Sequence, residues 1–183
     1  MPLSEIRKSS MEELARISPE NYEDQAKTNI TLVLDNIRSL QNVGSIFRTA
    51  DAFGIAKVYL CGITGTPPNK EIEKSALGAT STVKFEYFSD TKEAIDHLRK
   101  KSFSIAALEQ TNRSILLQDF KPDPDKNYAF ILGNEVFGVD QLALEKCDFA
   151  LEIPQIGSKH SFNVSVSTGI LLWDYFSKNI LNR

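Results

Sequence analysis

Three short runs decide what this chain can become: 30–34 (ITLVL), Ser104–Leu108 (SIAAL) and Tyr128–Leu132 (YAFIL). Each is apolar at nearly every position, whereas a strand with one wet face alternates polar and apolar residues. Continuous runs of this length suit strands covered on both faces, as in a parallel sheet. Further strand-like segments lie at Lys57–Cys61, 83–88 and 149–153. Between them, Val43, Ile46, Phe47, Ala50 and Phe53 recur at helical spacing, and Gly54 stands where a helix-ending glycine belongs. Helices are expected at 71–77, 91–101 (Ala94, Ile95 and Leu98 on one face), 141–146 and 163–180. Strand and helix alternating in this way predict an α/β fold: a mainly parallel sheet with helices on both faces. No composition break divides 29–183, so one domain is expected there. Ahead of it, 1–28 reads as a helical arm in which Ser10 and Glu13 have capping-box spacing.

Composition narrows the function classes. Lys plus Arg is 21 and Asp plus Glu is 24 in 183 residues, a net charge of −3, with a pI near 5.5. A protein that holds nucleic acid by bulk charge is normally basic. The balance leaves room for a small-molecule enzyme, or for an RNA enzyme with a local basic patch. No apolar run reaches the roughly 18 residues of a membrane helix, and the N-terminus lacks the apolar core of a secretory signal. A cytoplasmic protein without membrane association is expected. Cys61 and Cys147 lie far apart, and with only His97 and His160 besides, no metal site is expected and the thiols read as reduced and structural.

In parallel sheets ligands bind beyond the carboxyl ends of the strands. Three polar segments fall there: LDNIRSLQNVGSIFR, LGNEVFG and IPQIGSKHSFNVS. The chain contains no GxGxxG, GxxxxGK[ST] or GxSxG, so dinucleotide, P-loop and hydrolase-elbow readings have no carrier. What remains is a polar set: Asn42, Arg48, Asn134, Glu135, Ser161 and Asn163. Each has a structural alternative. Asn42 occupies the expected N-cap position of its helix. Arg48 could snorkel, pair with Asp51, or face a ligand. Glu135 could cap a helix, and Ser161 and Asn163 could cap the last one.

Taken together, the three segments resemble the three motifs of the SpoU/TrmH branch of the SPOUT RNA methyltransferases. The matching blocks are N-x-G-x-x-x-R-T-A-D-A-F-G from Asn42, L-G-N-E-x-x-G-V from Leu132, and I-P-x-x-G-x-x-x-S-x-N-V-S-V from Ile153. The resemblance runs over nearly all of 30–180, in order and in spacing. Phe162 departs from it, standing where that family usually has Leu. The resemblance implies a C-terminal deep trefoil knot and an S-adenosylmethionine pocket formed by Leu108, Leu132, Gly133, Ile153, Phe162 and Asn163. It also implies methyl transfer to a ribose 2′-hydroxyl of RNA, tRNA before rRNA, with Arg48, Asn42, Glu135, Ser161 and Asn163 as catalytic residues. A homodimer with sites built from both chains is implied as well. The apolar 163–180 segment (Val164, Val166, Ile170, Leu171, Leu172, Trp173, Tyr175, Phe176) agrees, being wider in its apolar face than a monomer's surface helix needs. On this resemblance no separate RNA-binding domain is expected ahead of the catalytic part. The competing expectation is an RNA-binding or assembly protein that keeps the fold without the chemistry.

Overall fold

The computed structural model describes residues 7–10, 13, 27–158 and 161–179. Its centre is a sheet of seven strands, all paired in parallel. They are β1 (Ile30–Asp35), β2 (Lys57–Cys61), β3 (Phe85–Phe88), β4 (Ser104–Leu108), β5 (Ile115–Leu116), β6 (Tyr128–Leu132) and β7 (Phe149–Glu152). The helices are α1 (Leu40–Ala52), α2 (Lys70–Ala76), α3 (Thr91–Lys100), α4 (Gln141–Leu144) and α5 (Val164–Asn179). The spatial order β3-β2-β1-β6-β4-β7-β5 is the informative part. The chain builds outward from β1 to β3, returns on the other side as β4, and only later inserts β6 between β1 and β4. That insertion marks the switch point, where strand ends diverge and a ligand crevice opens.

Strand periodicity sorts the core into two layers. Ile30, Leu32 and Leu34 of β1 point to one face with Val58, Leu60, Phe130 and Leu132, and are covered by α1, α2 and α5. Val33, Tyr59, Cys61, Ile105, Ala107 and Ile131 point to the other, covered by Ala94, Ile95 and Leu98 of α3 and Ala143 of α4. Helices therefore sit on both faces, as the alternation predicts. Every residue of β1 and β6 is buried, which is why both read as almost wholly apolar runs, with Thr31 and Asp35 the buried polar exceptions in β1.

Local chemistry sets the helix ends. Gly54 has φ 60°; its N–H reaches Asp51 O at 3.0 Å and that of Ile55 reaches Ala50 O at 2.9 Å, a Schellman closure of α1. At the other end the expectation for Asn42 is corrected. The N-cap is Ser39, whose Oγ accepts from Asn42 N at 3.2 Å, so Asn42 lies inside the first turn with its side chain free to point elsewhere. The reciprocal Ser10–Glu13 capping box is formed, at 2.8 and 3.2 Å, but the helix it would start lies outside the described residues. β5 was not foreseen: two residues within a polar stretch carry no periodic signal. No helix among the described residues is long and apolar enough to cross a membrane.

Gly44 of the first motif is a packing residue. A Cβ there would run into Ile72 O and Ser75 Oγ of α2, so α1 and α2 meet nearly backbone to backbone. Helix propensity alone favours Gly44→Ala by about 1 kcal/mol, whereas crowding a fixed backbone carbonyl costs about 1–3 kcal/mol. The expected net result is a lower denaturation midpoint with an unchanged denaturant slope. A raised midpoint would contradict the packing role.

Candidate active site

The carboxyl ends of β4, β6 and β7 lie side by side and frame a cavity of about 510 Å³. Leu108 and Leu132, paired across β4 and β6, form one wall. Ile153 closes another, and Gly133, Ser161, Phe162 and Asn163 line the rest. All six residues implied as cofactor contacts thus border one space. Its volume is that of an ordinary small-molecule site, about 300–1,000 Å³.

The loop after β6 is folded tightly on itself. Asn134 and Gly138 exchange backbone hydrogen bonds, each 2.9 Å, while Asn134 Oδ1 accepts from Val136 N at 2.9 Å and Phe137 N at 3.2 Å. Gly138 takes φ +70°, and a Cβ on Gly133 would collide with the backbone of Gly138 and Val139, so both positions need glycine. Asn134 Nδ2 donates to Asn36 O at 2.6 Å, tying this loop to the end of β1.

Glu135 then reaches across the mouth of the cavity. Its carboxylate accepts from Arg38 N at 2.9 Å, Ser39 N at 3.0 Å and Asn42 Nδ2 at 2.9 Å. It caps a helix, but α1, from 97 residues away in sequence, and not the helix that follows it. Asn42 Oδ1 in turn accepts from Asn163 Nδ2 at 3.1 Å, and Asn163 Oδ1 caps α5 by accepting from Ser165 N at 2.9 Å. One relay, Glu135–Asn42–Asn163, joins all three sequence motifs. Burial works to raise the Glu135 pKa, but the Arg38 N–H, the Asn42 amide and the Ser39 N–H outweigh it and hold the carboxyl below its usual range.

Arg48 stands apart. It is exposed, two turns along α1, and is not among the residues lining the cavity. No ion pair or hydrogen bond engages its side chain among the described residues, Asp51 included; Asp51 Oδ1 accepts from Thr82 Oγ1 at 2.6 Å instead. The pairing alternative is therefore not realised. Cys61 and Cys147 are free, and burial pushes both thiols up to about 12, which leaves neither nucleophilic at neutral pH.

Sequence reasoning missed two acids. Glu109 and Glu152 line the cavity with Glu135, making its wall rich in carboxylate. Glu109 Oε2 accepts from Val139 N at 2.9 Å, and Glu152 accepts from Ser114 Oγ at 2.5 Å. Both could have been found from position alone, since Glu109 directly follows SIAAL and Glu152 precedes Ile153.

Fold and cavity define the class: a parallel α/β protein whose candidate ligand site lies at the strand ends of the switch point. A model of the SpoU rRNA Methylase family matches residues 29–173, and the chain belongs to that family. A putative TrmH family tRNA/rRNA methyltransferase of Staphylococcus aureus is 30% identical over 148 residues, covering 80% of this chain and 58% of the relative. The chain thus spans little more than half of that relative's length. Among solved structures, a TrmH/SpoU tRNA modifying enzyme of A. aeolicus superposes with a TM-score of 0.76 at 27% identity, over 87% of this chain and 79% of that one. An AdoMet-bound rRNA methyltransferase of Sinorhizobium meliloti does so at 0.76 and 26%, over 88% and 61%.

The lowered Glu135 pKa has a signed consequence. A carboxylate held down in the folded state contributes stability above its unfolded pKa, about 4.3, and that contribution is lost as pH falls through the folded value. Glu135→Gln is expected to be less stable than the native chain at pH 7, with the gap closing as pH drops below about 4. Denaturant midpoints at several pH values measure this; a gap independent of pH would contradict it.

Proposed function

We propose that this chain is an S-adenosylmethionine-dependent RNA methyltransferase acting on a ribose 2′-hydroxyl, of tRNA before rRNA, as a cytoplasmic homodimer with the C-terminal trefoil knot. The Glu135–Asn42–Asn163 relay carries the reading: it draws three distant motifs into one polar rim on a cavity of cofactor size. Support for the knot comes from the chain path. After β7 the chain turns back past the ends of β4 and β6, with Ile153, Gln155, Ser161, Phe162 and Asn163 lining the cavity, before α5 packs against α1.

The cavity suits the cofactor chemically. S-adenosylmethionine carries a sulfonium and an ammonium, and supplies an electrophilic methyl group when bound. Carboxylates of Glu109, Glu135 and Glu152 complement those cations, while Leu108, Leu132, Ile153 and Phe162 offer an apolar slot and Gly133 lets backbone groups approach. With three N–H donors already on its carboxylate, Glu135 is a weak base and serves to organise the rim. Asn42 and Asn163 fix one another, and with Ser161 they present polar groups to the ribose. Arg48, permanently cationic, holds phosphate and orients the hydroxyl.

Since Arg48 lies outside its own chain's cavity, the reading requires it to act on the site of a second copy. An exposed apolar stripe on α5, Val166 and Trp173 flanked by the partly buried Ile170 and Phe176, supplies a surface for that copy. Arg48→Ala is expected to reduce tritiated methyl transfer to RNA by about 100-fold or more, with S-adenosylhomocysteine binding unchanged by calorimetry. Mixing Arg48→Ala chains with Asn163→Ala chains should restore about a quarter of native activity, since half of the randomly formed dimers carry one intact site. No recovery on mixing would refute the shared site. Failure of the native chain to bind S-adenosylhomocysteine would favour an RNA-binding protein that keeps the fold.

A further inference from the structure

A second cavity, also about 510 Å³, opens on the other side of the 134–138 loop, above the ends of β1 and β2. Its lining includes Asn36, Arg38, Ile63, Asn134, Phe137 and Asp140. Asn134, Phe137 and Gly138 line both cavities, so one tight loop is the partition between them. The motif L-G-N-E-x-x-G-V leaves positions 136 and 137 open, and here they are Val and Phe. The hydrogen bonds from Val136 N and Phe137 N to Asn134 Oδ1 hold this turn and leave Phe137 84% exposed, with Ile63 of the same cavity 65% exposed.

A large aromatic held outward by a rigid loop gains nothing for folding. The arrangement is explained by what it can stack on. Arg38 is exposed at the same cavity, its guanidinium in no ion pair or hydrogen bond among the described residues, while its backbone N–H is fixed by Glu135. Beneath them, the Asp35 carboxylate is 1% exposed and satisfied by Thr91 Oγ1 (2.6 Å), Asn36 Nδ2 (2.8 Å) and Asp140 N (2.7 Å). The floor is therefore negatively charged and repels phosphate, while the walls are apolar and aromatic and one cation sits on the rim. A neutral, planar ring with a phosphate at its edge matches that pattern.

Resting on the methyltransferase reading above, we propose that this second cavity holds the nucleobase of the RNA nucleotide being methylated. Phe137 and Ile63 cover the base, Arg38 meets the adjoining phosphate, and the shared loop sets the ribose against the cofactor cavity. Phe137 and Arg38 are then substrate-positioning residues, and they act on RNA without touching the cofactor.

The test uses the full chain with total RNA from a strain lacking this enzyme, tritiated S-adenosylmethionine, and S-adenosylhomocysteine calorimetry on each variant. Phe137→Ala should raise the KM for RNA about 10-fold or more, with S-adenosylhomocysteine affinity and sedimentation unchanged. Phe137→Trp should restore it, and Ile63→Ser should weaken RNA binding in the same direction. Arg38→Gln should raise KM and flatten its salt dependence. Native KM in Phe137→Ala and Ile63→Ser alongside full activity of the native chain overturns the subsite and leaves the methyltransferase reading standing. A Phe137→Ala chain that sediments at half the native mass overturns it in favour of a contact between copies. A native chain that binds no S-adenosylhomocysteine overturns the enzymatic reading, and the subsite with it.

Discussion

The Glu135 carboxylate on the amino end of α1 is the contact on which the rest of the site depends. Three N–H donors converge on it, two from the backbone at residues 38 and 39 and one from the Asn42 amide. The N-terminus of a helix leaves its first N–H groups without internal partners and carries partial positive charge, so a carboxylate there is favoured twice over. By taking that position, the loop after β6 is fixed to the start of α1. Asn42, released from capping by Ser39, extends the same network to Asn163 and so to α5. Without that carboxylate the loop after β6 would keep the Asn134–Asn36 hydrogen bond to the first polar segment, but the amino end of α1 would lose its anionic partner.

Sheet topology explains why the loops are neighbours at all. Late insertion of β6 between β1 and β4 places its carboxyl end beside those of β4 and β7 on one side and β1 on the other. A loop leaving β6 therefore has a cavity on each flank, one rich in carboxylates and one bordered by Arg38 and two exposed apolar side chains. On the proposed reading these divide the work between a cofactor bearing a sulfonium and an ammonium and an anionic polymer whose bases are neutral. The net charge of −3 is no obstacle to such a division. It constrains how RNA is held, through a few local contacts and shape, and leaves open whether RNA is the substrate.

Legibility in the sequence followed burial. β1 and β6 are buried throughout, and the apolar runs that report this place both strands to within a residue. The Gly54 helix end is equally plain, because a Schellman closure needs a left-handed residue that glycine adopts at no steric cost. β5 was invisible: two exposed residues at the edge of the sheet leave no pattern. The N-cap of α1 was misplaced by three residues because Ser39 and Asn42 are both good capping residues, and only the backbone decides between them.

The sequence by itself determined the α/β class, the helix and strand succession, and which polar residues were left over once the core was accounted for. Those depend on local periodicity and on side-chain chemistry, which the chain states directly. Tertiary structure alone decided that Glu135 caps a helix 97 residues distant, that Glu109 and Glu152 join it in one cavity, and that Arg48 turns away from that cavity toward solvent. These depend on strand order and on the direction each side chain leaves its element, quantities set by the packing of the whole sheet and absent from any single segment.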